Sequence, residues 1–328
     1  MADTASTPVL RVEDLTVRFT RRNTDVAAVN GVDFSLKAGE TLTILGESGS
    51  GKSVSLKALM GLLPAYAGIS GKVWLNGQEI LGLPAAALAK LRGGAVSMIF
   101  QEPMAALDPV YTIGEQIAET IVQHEGCDNR TAMKRALGLL EQVKIPSAER
   151  RLKNFPHEMS GGMRQRAMIA LALACKPGVL LADEPTTALD VTVQIQILLL
   201  LRQLQEELGM AIVFVTHDVG AAAEISDRIA VMYAGRFVET GTTREVMSHP
   251  MHPYTRGLLS STVHGVMRGR ALETIPGSPP NLAELPPGCA FAPRCRYAAD
   301  ACRRDIPVVT TETGAMARCV RAAELIPA

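Results

Sequence analysis

An excess of charge of either sign is missing from this 328-residue chain: 33 lysines and arginines face 33 aspartates and glutamates. A neutral chain has no long-range positive field with which to gather phosphate backbones, and this disfavours nucleic acid as a partner. Also missing is any apolar run long enough to cross a bilayer. The most apolar tracts, Ala167–Cys175 and Ile195–Leu201, fall well short of the roughly 18 residues that a span requires. The opening MADTASTPVL carries no charged-then-apolar leader, so a cytoplasmic protein is expected. Internal repeats and low-complexity segments are lacking too. What is present, 47% hydrophobic and 20% charged residues, is an ordinary globular balance in a chain long enough for two parts.

Lysine is absent from the last 64 residues, which hold 8 of the 19 prolines and place a boundary near His264. Ahead of it, alternating patterns at Leu10–Phe19 and Ala27–Leu36, separated by the charged turn Thr20–Asp25, predict antiparallel strands. The β-branched run Thr41–Leu45 meets a glycine-rich turn and then a helical stretch, Lys52–Leu62, closed by Pro64. Apolar residues three or four apart through Thr112–Leu152 predict an inserted helical subdomain. Beyond it, helices at Gly161–Ala174 and Val191–Leu208 alternate with the unbroken apolar runs Val179–Ala182 and Met210–Thr216. Such runs between helices are what a parallel sheet buried on both faces produces, so the fold class is α/β. A late hairpin is expected where Ala234-Gly235 joins Arg228–Tyr233 to Arg236–Glu239.

The chemistry starts at Gly46-Glu47-Ser48-Gly49-Ser50-Gly51-Lys52-Ser53, which fits G-x-x-x-x-G-K-S/T between a strand and a helix. Glycines permit a turn that aims backbone N–H groups inward, and the helix adds the positive end of its dipole, so an anionic phosphate is held without bulky side chains. Lys52 would neutralise β and γ oxygens and Ser53 would ligate Mg²⁺. The apolar strand Val179–Ala182 ends in Asp183-Glu184, where one carboxylate can hold Mg²⁺ and its neighbour can polarise an attacking water. Met159-Ser160-Gly161-Gly162-Met163 opens the next helix. Ser160 reads there either as an N-cap or as part of a second anion-binding nest, which a site shared between two chains would use. Taken singly, Phe19 reads as a core residue and His217 as a structural one.

In order and spacing, the loop at 46–53, Gln101, Met159–Met163, Asp183-Glu184, Ala188-Leu189-Asp190 and His217 resemble the nucleotide-binding subunit of an ABC transporter across roughly Leu10–Val263. That resemblance implies a P-loop NTPase core with an antiparallel β subdomain and an inserted helical subdomain at about 104–176. It also implies a head-to-tail dimer in which each ATP lies between one loop and the partner's Ser160, Gly161, Gly162 and Met163. Gln101 would then touch Mg²⁺ and sense the membrane subunits, Asp190 would form the D-loop, His217 would contact the γ-phosphate, and Phe19 would stack on adenine. Met159 and Met163 stand where Leu and Gln are frequent in the family. Met163 removes a polar side chain and keeps the backbone donors.

Six cysteines are unevenly placed, with Cys289, Cys295, Cys302 and Cys319 crowding the tail. From spacing alone they can be metal ligands (zinc or iron–sulfur), disulfide partners or free thiols, since neither C-x-x-C nor the ferredoxin run occurs. So little apolar periodicity in the tail suggests a fold nucleated by metal. His252-Pro253-Tyr254-Thr255, Ile275-Pro276-Gly277, Phe155–Ser160 and Asp183–Asp190 make the chain similar to ATPases that serve dipeptide and oligopeptide importers. This likeness implies an ATPase part over 8–263 and a C-terminal extension over 264–328, with a 4Fe–4S cluster on the four cysteines. It further implies two membrane permease subunits, a second ATPase subunit, identical or homologous, and an extracytoplasmic substrate-binding protein. The chain would sit at the cytoplasmic face of the inner membrane. Nickel, opine or glutathione cargo remains open at this stage, as do a non-transport ABC ATPase and an inactive binding module.

Overall fold

The computed structural model describes residues 7–21, 24–261 and 274–325. The expected boundary at His264 lies outside these described residues. The chain divides into two compact units, each gathered from several segments. One comprises Met1–Leu10, Leu36–Glu40 and Trp74–Phe214, and the other Arg11–Ser35, Thr41–Val73 and Val215–Ala328.

In the first unit, strands Val96–Ile99 and Val179–Asp183 pair in parallel, with Val96 opposite Val179 and Ile99 opposite Ala182. Every residue of both is buried, as the unbroken apolar run of the second requires. The periodic stretch 112–152 resolves into helices Ile113–Glu125, Asn129–Gln142 and Ala148–Arg151. Thr112 starts the first of these with a reciprocal box. Its hydroxyl accepts from Glu115 N at 3.4 Å, while the Glu115 carboxylate accepts from Thr112 N at 2.8 Å. Helix Gly161–Ala172 buries Ala167, Met168, Ile169 and Ala170, four consecutive residues and hence more than one face. The long helix Val191–Leu208 is stopped by Gly209 at φ 63°.

In the second unit, strand Thr41–Leu45 lies parallel to Arg228–Tyr233, which forms the expected hairpin with Arg236–Thr242 through Ala234 and Gly235. A bulge between Phe237 and Glu239 shifts the register of that hairpin. Strands 11–21 and 24–35 belong to a separate sheet, in order with strand 67–73, which has no counterpart in the sequence reading.

The tail is ordered differently from the expectation of a small fold nucleated by metal. Val308–Thr310 and Met316–Arg318 form an antiparallel pair, and Ala317 and Met316 continue it onto Glu239 and Thr240. Phe291 is buried in one core with Tyr233, Tyr254 and Val231, and Cys289 and Cys295 pack against that same core. The apolar residues that the tail lacks are thus supplied by the hairpin and by helix Pro253–Ser260. For that reason, residues 274–325 belong to the second compact unit instead of standing alone.

Candidate functional site

In the second unit, the buried strand Thr41–Leu45 delivers the chain into the glycine-rich turn, and helix Lys52–Leu59 leaves it. Three glycines are required there by geometry. A Cβ on Gly46 would meet the Met232 carbonyl oxygen at 2.3 Å, Gly51 sits at φ +110° with the Ala28 oxygen at 2.4 Å, and Gly49 sits at φ +78°. Gly51 occupies the helix N-cap with no side-chain cap, so the helix turns the positive end of its dipole toward the loop. Ser50 Oγ is buried without a hydrogen-bond partner, a second polar group awaiting one. Lys52 is only 4% exposed and donates its ammonium protons to the carbonyl oxygens of Gly46 at 2.7 Å and Glu47 at 2.9 Å. The charge is held at the mouth of the loop, where a β or γ phosphate would replace those carbonyls. Ser48 and Ser53 lie on the same turn. A glycine-lined turn, a buried cation and a hydroxyl fit a magnesium-bound triphosphate.

His217 is exposed at the end of strand Ala211–Thr216. Gly46 N donates to the Thr216 carbonyl at 3.4 Å, which brings His217 beside the start of the loop. Phe19 is half-buried, with its ring 6.1 Å from Tyr66, which is itself half exposed. Tyr66 was not singled out from the sequence, since a lone tyrosine after Pro64 carries no pattern.

In the first unit, Asp183 and Glu184 end their strand buried, and Glu184 takes the left-handed φ of 46°. A non-glycine residue held there is strained and fixed in direction. The Glu184 carboxylate accepts from Gln101 Nε2 at 3.3 Å and from Thr187 Oγ1 at 2.9 Å. Gln101 and Glu184, 83 residues apart, are thereby brought together. Thr187 is a partner that the sequence reading missed, although it lies inside the quoted DEPTTALD.

Ser160 caps helix Gly161–Ala172 by accepting from Met163 N at 3.4 Å, while Met159 is buried beneath it. A Cβ on Gly162 would lie 2.9 Å from Val193 Cγ1, so this glycine lets two helix starts approach. Asp190 caps the second of them by accepting from Val193 N at 3.0 Å, after Ala188 at φ 63°. Ser160 and Gly161 are exposed, a helix start presented outward.

The four tail cysteines are all unpaired thiols. They line a single cavity together with His252, Phe291, Tyr297 and Arg321. Backbone N–H groups already point at two sulfurs: Tyr297 N donates to Cys295 Sγ and Arg321 N to Cys319 Sγ, each at 3.4 Å. Burial pushes the Cys289 thiol up to about 11 and raises Cys295 and Cys319 as well. The thiolate forms therefore need a cationic ligand to exist at neutral pH. Among the described residues no three His, Cys, Asp or Glu side chains converge closely enough to hold a single metal ion.

Beneath the cavity, Glu239 is buried and accepts from Met251 N at 2.7 Å and His252 N at 2.9 Å. Burial holds the His252 imidazole neutral, down to about 3, with Nδ1 accepting from Tyr254 N. The sequence reading also missed a link between tail and loop. The Arg294 guanidinium forks onto the Glu47 carboxylate at 2.7 and 3.0 Å. These partners are 247 residues apart, a separation at which no spacing rule operates.

Residues 29–187 match the family described as ABC transporter, and residues 238–302 match the oligopeptide/dipeptide transporter C-terminal region. The oligopeptide transport ATP-binding protein OppD of Salmonella typhimurium is 49% identical over 316 residues, covering 96% of this chain and 94% of that protein. The dipeptide transport ATP-binding protein DppD of Bacillus subtilis is 46% identical over 301 residues, covering 91% and 90%. Among solved structures, the dimeric post-hydrolysis state of the ATP-binding cassette MJ0796 bound to ADP and Pi superposes with a TM-score of 0.65. It is 30% identical and covers 72% of this chain and 99% of that one.

Proposed function

Because the chain belongs to the ABC transporter family, within its branch of oligopeptide and dipeptide ATP-binding subunits, we propose that it hydrolyses ATP to drive peptide import. The observation that carries this reading is the loop itself: a buried lysine at the mouth of a glycine cradle with uncapped helix amides. Residues 8–263 act as the motor, with 104–176 as the helical part that follows Gln101, and 264–328 act as the extension.

In this reading Phe19 stacks on adenine, Lys52 neutralises the β and γ oxygens, and the 46–53 loop wraps the phosphates. Ser53, Asp183 and Gln101 would hold Mg²⁺, which would supply positive charge to the phosphate oxygens. Glu184 accepts a proton from the attacking water, whose oxygen forms the new bond to the γ-phosphorus as the bond to the bridging oxygen breaks. ADP and phosphate are the products. Glu184 suits this task because Gln101 and Thr187 fix its direction through hydrogen bonds and its backbone is held in one conformation. His217 contacts the γ-phosphate. A partner ATPase subunit, identical or homologous, closes the site by presenting its own copy of the Ser160–Met163 helix start. Asp190 lies at the same juncture. The dimeric cassette that this chain resembles supports such closure.

No described helix is long and apolar enough to cross a membrane. The translocation path therefore belongs to two permease subunits, which this chain engages from the cytoplasmic face of the inner membrane, and a substrate-binding protein supplies the peptide. Closing on ATP and reopening on hydrolysis are what the permeases convert into alternating access.

For the tail we propose a 4Fe–4S cluster on Cys289, Cys295, Cys302 and Cys319. Four unpaired thiols around one cavity, two of them already receiving N–H donors, suit a cluster whose sulfur ligands are spread apart. Anaerobically purified chain with neither iron nor sulfide refutes the cluster. The motor is tested separately: Glu184→Gln binds ATP and loses turnover, and a variant hydrolysing at the parental rate refutes the assignment of the base.

A further inference from the structure

Glu47 occupies a variable position of the phosphate loop, and its environment is supplied by the tail. Its N–H, one of the amides expected to face phosphate, instead donates to the Tyr254 hydroxyl at 2.9 Å. Its carboxylate sits in the fork of Arg294, with Nη1 and Nη2 at 2.7 and 3.0 Å. Arg294 is 8% exposed and is fixed from every side. Nε donates to the Pro276 carbonyl at 2.8 Å and Nη2 to that of Gly277 at 3.4 Å. The guanidinium also lies over the rings of Tyr233 and Phe291, at 5.9 and 6.0 Å. The tail is also held on the core by strand pairing and by Phe291.

A carboxylate on a loop that must receive a triphosphate is an electrostatic liability. Unpaired, it repels the incoming charge at close range, and its side chain is free to swing toward the cradle. Held in a bidentate fork by a buried arginine, it is neutralised and turned away. The geometry points to Arg294 as a positioning residue for ATP binding. It masks the Glu47 charge and fixes residue 47 from outside. Because Arg294 immediately precedes Cys295, the segment that carries the thiols also sets the charge state of the loop. This inference rests on the proposal that the loop binds ATP.

The test compares ATP turnover of the full chain, assembled with its partner subunits, in four forms. Arg294→Gln strands the Glu47 charge, and KM for ATP rises about tenfold with kcat within threefold. Glu47→Gln alone is the fourth corner of the cycle, against which the double variant is read. The double variant returns KM to within threefold of the parent, because the repelling charge has gone. A purely structural arginine gives the opposite, a double variant no better than Arg294→Gln. That result, or a KM for Arg294→Gln within twofold of the parent, overturns the inference. If Arg294→Gln does not fold, Arg294→Lys and the double variant decide: KM within threefold in both supports the masking role, and a tenfold rise in either overturns it. Lys52→Ala separates the two failures. If Lys52→Ala leaves ATP affinity intact, the nucleotide site itself is misassigned; if it abolishes affinity while Arg294→Gln changes nothing, only the inference about Arg294 falls.

Discussion

Replacing Phe291 with alanine should loosen the tail without touching a cysteine. The ring is buried among three others, with centroids 5.3 Å from Tyr233, 5.4 Å from Tyr254 and 5.9 Å from His252. Truncating a buried phenylalanine to alanine costs about 3–5 kcal/mol, through lost transfer free energy and the cavity left behind. At about 1.4 kcal/mol per tenfold, the lower end of that range is roughly a hundredfold shift in an opening equilibrium. The shift is local, because strand Met316–Arg318 remains paired to Arg236–Thr242. Hydrogen exchange on the full chain reads it at the amides of Cys289, Ala292 and Arg294, which donate to Cys302, Cys289 and Phe291 carbonyls at 2.8, 3.0 and 3.0 Å. Their protection should fall about a hundredfold or more in Phe291→Ala. Chain stripped of any metal by chelation should keep most of that protection, since the core and not the ligand orders the segment. The reasoning is refuted if Phe291→Ala changes protection by less than threefold while stripping abolishes it.

Two further outcomes test local chemistry away from the nucleotide. Thr112→Ala removes the hydroxyl half of the box at the start of Ile113–Glu125 and should destabilise the chain by about 1 kcal/mol, read from the denaturant midpoint; an unchanged midpoint refutes the cap. Glu245 accepts from Thr313 of the tail hairpin at 2.5 Å and from Thr242, and these bonds hold its carboxyl below the usual range. A lowered folded value means stability present above the ordinary carboxylate range and lost as pH falls through the lowered value. Stability of the parent should therefore exceed that of Glu245→Gln near neutrality and converge with it in acid. A gap that persists unchanged at low pH refutes the charge-based account.

Much of the fold was legible because its signals are local. Thr41–Leu45, Val191–Leu208 and Arg228–Tyr233 stand where apolar runs and periodicity put them. The loop was legible for a stronger reason: Gly46, Gly49 and Gly51 are each forced by a backbone contact or a positive φ, so sequence and geometry carry the same constraint. Strand Ala67–Leu75 was missed because it contains two glycines and a lysine, a composition that local propensity reads as a loop. Only its neighbours in the sheet make it a strand.

The tail shows why the remainder was out of reach. Its own residues offer little apolar periodicity, and from that the sequence supports a fold dependent on metal. What orders it is supplied by residues far away in the chain: Tyr233, Tyr254, and the strand on which Ala317 pairs with Glu239. Burial of this kind is a property of pairs and is silent in either member alone. The same argument applies to Arg294 and Glu47. Each is an ordinary charged residue in sequence, one before a cysteine and one inside a glycine loop, and only their meeting gives the arginine a role at the nucleotide. A tail held by the core, and not by its cysteines alone, is free to present Arg294 to the loop whether or not those cysteines carry a ligand. The Phe291 and Arg294 experiments therefore address separate links of one chain of contacts: Phe291→Ala should disturb the presentation of Arg294, while Arg294→Gln should leave the order around Phe291 in place.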